Sequence, residues 1–240
     1  MTRVCGVDLV MSNQYSILID GGFFTRKLYP RLNRHPRVED VVSEIDKLRS
    51  YRALERLDLL RVYYYDSKPA TGRVTHPITG DVTNLAETEV FRRNQAFLDK
   101  LELQPNVALR LGELSAHGWK LKRQAINDEG LKERSLTAED FSMDLEQKGV
   151  DLRIGLDIAR LSLTQSVHTI VVVTGDSDLV PAFKFARREG TRVVLSHMGH
   201  GVKRELKAHT DLILEENDDV MTATDDSAPQ EASTEARSTE

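Results

Sequence analysis

The sequence predicts an α/β domain of three layers, with a central mostly parallel sheet flanked by helices. Three observations carry that expectation. Apolar β-branched runs alternate with helical stretches along most of the chain, the pattern of a parallel sheet with crossover helices. One run, His168 to Thr174, is apolar enough for a strand buried on both faces. The 240 residues are 40% hydrophobic and 30% charged, which suits one large domain better than two.

The elements follow in order. Tyr15 to Ile19 reads as the first strand, with Asp20, Gly21 and Gly22 punctuating its end. A helix is expected from about Val38 to Leu57, because Val38, Val41, Val42, Ile45, Leu48 and Leu54 recur at helical spacing. Leu59 to Tyr65 is the second strand. A loop with Pro69, Gly72, Pro77 and Gly80 leads to a helix over about Glu87 to Leu103. Asn106 to Leu111 is the third strand. Residues 112–146 are weakly patterned, with a hairpin expected around Trp119 to Lys122. After the His168–Thr174 strand comes a helix with Pro181 in its first turn, Arg187 and Arg188 in its last, and Gly190 as its stop. Thr191 to Leu195, a short helix near Val202 to Ala208, and Asp211 to Leu214 complete the series.

The ends differ from this body. Residues 1–14 read as an N-terminal extension, within which Met11 could be the start, and 15–217 as the folded domain. Residues 218–240 are rich in Ser, Thr, Ala and acids and are expected to be a disordered acidic tail. The formal net charge is −5, but much of the excess acid lies in that tail, where Arg237 is the one basic residue. The body is near neutral, so charge neither requires nor excludes a nucleic-acid partner. No apolar run is long enough to span a membrane, and the N-terminus lacks the pattern of a signal peptide. Cys5, the single cysteine, fits a reducing compartment, so a cytoplasmic location is expected.

In open α/β sheets, sites form at the carboxyl ends of strands. Asp20 ends the first strand, and Thr174-Gly-Asp176-Ser-Asp178 follows the most apolar one. Carboxylates gathered there would repel one another unless a cation such as Mg²⁺ or Mn²⁺ lay between them. The same acids could instead cap the following helix, stabilising it by about 1 kcal/mol. Spacing leaves both readings open.

Here a resemblance enters. Ile17-Leu-Ile-Asp20-Gly-Gly-Phe23, Tyr63-Tyr-Tyr-Asp66, Gln147-Lys-Gly-Val-Asp151 and Val173-Thr-Gly-Asp-Ser-Asp-Leu-Val-Pro181 occur in the order seen in NYN-domain proteins. These belong to the PIN-like nuclease superfamily, and the match is nearest in kind to its LabA-like branch, over roughly residues 15 to 216. The resemblance implies a PIN-like, Rossmannoid domain. It also implies a metal-dependent ribonuclease in which Asp20, Asp151, Asp176 and Asp178 are both catalytic residues and ligands of Mg²⁺ or Mn²⁺. Asp178 would bind directly or through water. The substrate implied is single-stranded RNA, which would be hydrolysed by a metal-activated water without a covalent intermediate. The family often carries Asn three residues after its first acid; here that position is Phe23.

Other residues are weighed beside these. Lys148, Ser177 and Lys203 are candidate substrate contacts, although a lysine next to acids is as often simply solvated. Asp157 lies about 120° around a helix from Asp151, and Arg153, Asp157, Arg160 and Thr164 share a polar stripe, so a salt-linked role suits it better. The alternating apolar residues from Leu152 to Ile158 also permit a strand, and the resemblance favours a helix. Arg92-Arg93, Lys122-Arg123 and Lys203-Arg204 could follow an RNA backbone. Trp119 could stack a base but is expected to pack under its hairpin. Asp66 could orient substrate or make a turn. His197 and His200 lack the further ligands that zinc needs.

Two other functions compete. A phosphatase of the haloacid dehalogenase type also places an acid after its first strand, but needs a second acid where Gly22 stands. A non-catalytic RNA-binding or regulatory module could keep the same fold. The chain could also pair as a homodimer.

Overall fold

The computed structural model describes residues 13–127 and 134–215. Met11, Cys5 and the acidic tail fall outside the described residues, as does the expected N-terminal extension up to residue 12; Gln14, expected in that extension, opens the first strand. Strand β1 (Gln14–Asp20) leads directly into α1 (Gly21–Leu32), and α2 (Val38–Arg49) follows. Next come β2 (Asp58–Ser67), a small hairpin of β3 (Arg73–Thr75) and β4 (Val82–Asn84), and α3 (Glu89–Glu102). Strand β5 (Val107–Leu121), a turn of helix α4 (Arg123–Ile126) and β6 (Phe141–Lys148) precede α5 (Val150–Leu163). The series ends with β7 (Thr169–Val173), α6 (Val180–Arg188), β8 (Arg192–Ser196), α7 (Arg204–Ala208) and β9 (Leu212–Leu214).

Seven strands form one sheet in the order β6-β5-β2-β1-β7-β8-β9. Every neighbouring pair is parallel except β5 with β6. Side chains alternate across a strand, and that alternation sorts the core into two. Ile17, Ile19 and Tyr64 pack with α1, α2 and α3 on one face. Leu18, Tyr63 and Tyr65 pack with α5, α6 and α7 on the other. The three-layer α/β architecture expected from sequence is therefore observed.

The order of the strands matters for function. The chain winds outward from β1 through β2 to β5 with its helices on the first face. It then returns to β7 on the far side of β1 and winds the other way with its helices on the second face. The winding reverses between β1 and β7, the place where such sheets open a crevice beyond their carboxyl ends.

Three local expectations need correction. Helix α1 was not anticipated, because two glycines at its start and Pro30 near its end read as loop signals. Gly21 is there for space: a Cβ on it would lie 2.6 Å from the Tyr65 carbonyl oxygen. Helix α2 stops at Arg49, and Leu54 belongs to a separate 3₁₀ turn, which keeps it in the core. The hairpin in the weakly patterned region is not centred on residues 119–122. Strand β5 runs on to Leu121 and pairs with β6, Trp119 opposite Met143. Trp119 packs edge-on against His76, with ring centres 4.4 Å apart, as a hairpin-buried residue should.

Candidate active site

The site begins with where the chain lets each carboxylate sit. Asp20 is the last residue of β1 and the N-cap of α1, its Oδ1 accepting from the Phe23 N–H at 3.0 Å. Its Oδ2 accepts from the Thr174 hydroxyl at 3.4 Å. That same hydroxyl oxygen accepts from the Asp176 N–H at 3.1 Å. Thr174, fully buried at the end of β7, thus ties the two strand ends together across the winding reversal.

Asp176 caps the 3₁₀ turn Ser177–Leu179, accepting from the Asp178 N–H at 2.9 Å. The capping role that spacing left open is real, and Asp20 shares it. Capping uses one oxygen of each carboxylate, and the second oxygen of Asp20 is engaged by the Thr174 hydroxyl. Gly175 lets the chain turn here beneath Phe23, whose ring would lie 2.6 Å from any Cβ at that position.

Asp151 arrives from a distant part of the sequence. Strand β5 pairs with β2 only as far as Gly112 and then overhangs the carboxyl edge of the sheet. Strand β6 comes back along the overhang to that edge. Gly149, at φ 77°, turns the chain into α5, in whose first turn Asp151 lies. The segment is helical, settling the strand-or-helix ambiguity.

Asp20, Asp151 and Asp176 line one cleft of about 460 Å³, together with Gly22, Arg26, Lys27 and His200. Burial pushes the Asp20 carboxyl above its usual range, and the nearby Asp176 adds to this while the Phe23 N–H opposes it. Asp151 is likewise raised, by burial first and then by Asp176, Asp20 and Asp178 in turn. Asp178 is exposed and does not line the cleft; its backbone N–H donates to Asp176, and its charge adds to the upward shift of Asp151.

The other expected contacts stand further off. Lys148 pairs with Glu146 at 3.0 Å, and Lys203 donates to the Ser177 hydroxyl at 3.0 Å; none of Lys148, Ser177 and Lys203 lines the cleft. Asp157 accepts from Tyr65, Arg110 and Arg160, the salt-linked role its place on the helix suggested. Reading the sequence missed Arg26, Lys27 and Thr174. The first two were hidden because α1 was; Thr174 carries no signal beyond its place at a strand end.

The donor set suits a hard divalent cation, since it offers carboxylate oxygens at one place and mutual repulsion for an ion to relieve. Among the described residues no three acidic, cysteine or histidine side chains stand close enough to hold a metal ion as they are placed. An ion could be held there only with these side chains turned closer together, and Asp151 is exposed. Among the described residues no helix is long and apolar enough to cross a membrane.

Residues 104–216 match the model of the NYN domain family. The matched span runs from just before β5 to just beyond β9; it contains Asp151, Asp176 and Asp178 and begins after Asp20. The NYN domain belongs to the PIN-like nuclease superfamily, which suggests a nuclease role. No curated protein matches the chain. A solved structure of a protein of unknown function from Vibrio parahaemolyticus is similar at 12% identity and a TM-score of 0.44, over 85% of this chain and 93% of that one.

Proposed function

We propose that the protein is a metal-dependent ribonuclease that hydrolyses phosphodiester bonds of single-stranded RNA. The observation that carries the reading is the meeting of Asp20, Asp151 and Asp176 in one cleft at the point where the sheet's winding reverses. Asp20 and Asp176 supply oxygens on rigid strand ends, tied by Thr174. Asp151 supplies a third from the start of α5, and Asp178 acts at the rim, directly or through water. A Mg²⁺ or Mn²⁺ ion held among them would acidify a bound water and balance charge on the phosphate. Arg26 and Lys27 attract the backbone phosphates into the same cleft. Phe23 and His200, with ring centres 6.2 Å apart, form an aromatic margin beside it.

The test is direct. Purified protein with Mn²⁺ or Mg²⁺ is expected to cut a labelled single-stranded RNA, and a chelator to stop it. Asp176→Asn should slow cleavage by roughly a hundredfold or more, the scale on which removing a site's charge-stabilising group acts. Binding of the RNA without any cutting, under either metal, would overturn the enzymatic reading in favour of a binding module.

A further inference from the structure

A second cavity, of about 280 Å³, adjoins the acidic cleft and shares Gly22 and Gln147 with it. Its wall is formed where β2 ends, by Asp66 and Ser67, and by Asn94 and Phe97 of α3. Three features mark it as built for a polar ligand. Ser67 is 8% exposed, yet its Oγ has no hydrogen-bond partner among the described residues. Buried polar atoms are almost always satisfied, so such an orphan asks for something that completes it. Asp66 accepts from the Ser67 N–H through Oδ1, at 2.7 Å, while its Oδ2 has no partner among the described residues. The exposed Gln147 side chain lies at the junction of the two spaces.

We propose that this cavity is a nucleobase subsite, taking the base of the nucleotide next to the scissile phosphate, with guanine the base it fits. The inference rests on the nuclease reading for the identity of the polymer, and on the cavity alone for the ligand's chemistry. The space is large enough for one planar heterocycle. Single-stranded RNA is read by splaying bases out, stacking them on aromatic rings and bonding their edges. Phe97 supplies the ring. Guanine's pairing edge presents two adjacent N–H donors, N1–H and N2–H, which a carboxylate accepts side by side, whereas adenine and cytosine each offer one amino group and uracil one imide. The Ser67 hydroxyl and the amides of Asn94 and Gln147 can meet the base's remaining acceptors. A ligand held here is one short step from the cleft, because Gly22 has no side chain to stand between the two.

The experiment measures binding apart from cleavage. Guanosine, adenosine, cytidine and uridine 5′-monophosphates are titrated by calorimetry into the full chain in chelator, and again into Asp176→Asn. The guanine nucleotide should bind about tenfold more tightly than the others, the worth of one charge-assisted hydrogen bond. Asp66→Asn should abolish that preference. Ser67→Ala should weaken guanine binding severalfold while the melting temperature stays level or rises, since an unsatisfied buried hydroxyl is lost. A purely structural role for Ser67 would not weaken binding. Cleavage of RNAs varied at a single position should follow the same order. Equal binding of all four nucleotides, or a preference that survives Asp66→Asn, overturns the subsite. Guanine binding by a protein that cuts no RNA would sustain the subsite and sink the nuclease reading instead.

Discussion

Thr174 carries a larger share of the site than its size suggests. One hydroxyl both accepts the Asp176 N–H and donates to the Asp20 carboxylate, so it fixes two acids relative to each other. Thr174→Val keeps the shape and removes both bonds. It is expected to cost about 1 kcal/mol, because it removes both hydrogen bonds, one of them from the half-buried Asp176 N–H. Cleavage should fall further than that stability loss explains, with the drop in kcat rather than in KM; an activity unchanged in a stably folded variant would show that the tie is not needed. Asp66 gives a second test at this scale. Burial, aided by Asp20, raises its carboxyl to about 6 against the Ser67 N–H. A carboxyl that holds its proton more tightly folded than unfolded favours the fold at low pH. That contribution is complete below about pH 4 and is lost as pH rises through about 6. Relative to Asp66→Asn, the natural protein should therefore lose on the order of 2 kcal/mol over that window. Denaturant titrations of both proteins at pH 4 and pH 8 check it, and a difference that does not change with pH counts against the assignment.

At the scale of elements, what the sequence made legible depended on whether periodicity or space decided the structure. The apolar run 169–173 and the Pro-led, Gly-stopped α6 were legible because burial and end signals agree there. Helix α1 was not, because its leading Gly21 answers to close packing against β2 rather than to helix propensity. Gly21→Ala should therefore destabilise, although alanine favours helices: the new methyl would meet the Tyr65 carbonyl and the Tyr64 ring, both held in the core. Overpacking of this kind costs typically 1–3 kcal/mol, readable as a lowered denaturation midpoint. Gly22→Ala, whose Cβ would meet nothing nearer than 3.5 Å, is the matched control and should cost little. The β5–β6 overhang was illegible for another reason. It lies beyond the sheet's covered faces, so its residues 113–121 are mostly half-exposed and show no clean alternation. Asp20 and Asp176 could be expected near one another because strand ends are predictable, whereas Asp178 does not line the cleft they share. Asp151 could be placed with them only by resemblance, since nothing local says that β6 returns to the same edge.

For the whole molecule, the strand order sets how the site can be divided. The NYN match spans residues 104–216 and thus β5 to β9, but β1 and β2 lie between β5 and β7 in the sheet. A fragment limited to the matched span would hold two disconnected pieces, β5 with β6 and β7 with β8 and β9. Strand β7 would lose its parallel partner β1 along Thr169–Val173, and its apolar backbone edge would be bare. The face under α5 would lose Leu18, Tyr63 and Tyr65, and the opposite face would lose α1, α2 and α3 altogether. Unpaired apolar edges invite aggregation, and two half-sheets have no shared core to cooperate around. A purified 104–216 fragment should therefore lack a cooperative thermal transition and bind no metal tightly, whereas residues 13–215 should melt as one unit. Adding a separately expressed 13–103 segment should restore folding if the two halves meet, because β1 and β2 would then close the gap and bring Asp20 back to Asp176. Circular dichroism of each piece and of the mixture decides it. A fragment 104–216 that folds alone would mean that β1 is dispensable to the sheet it now centres.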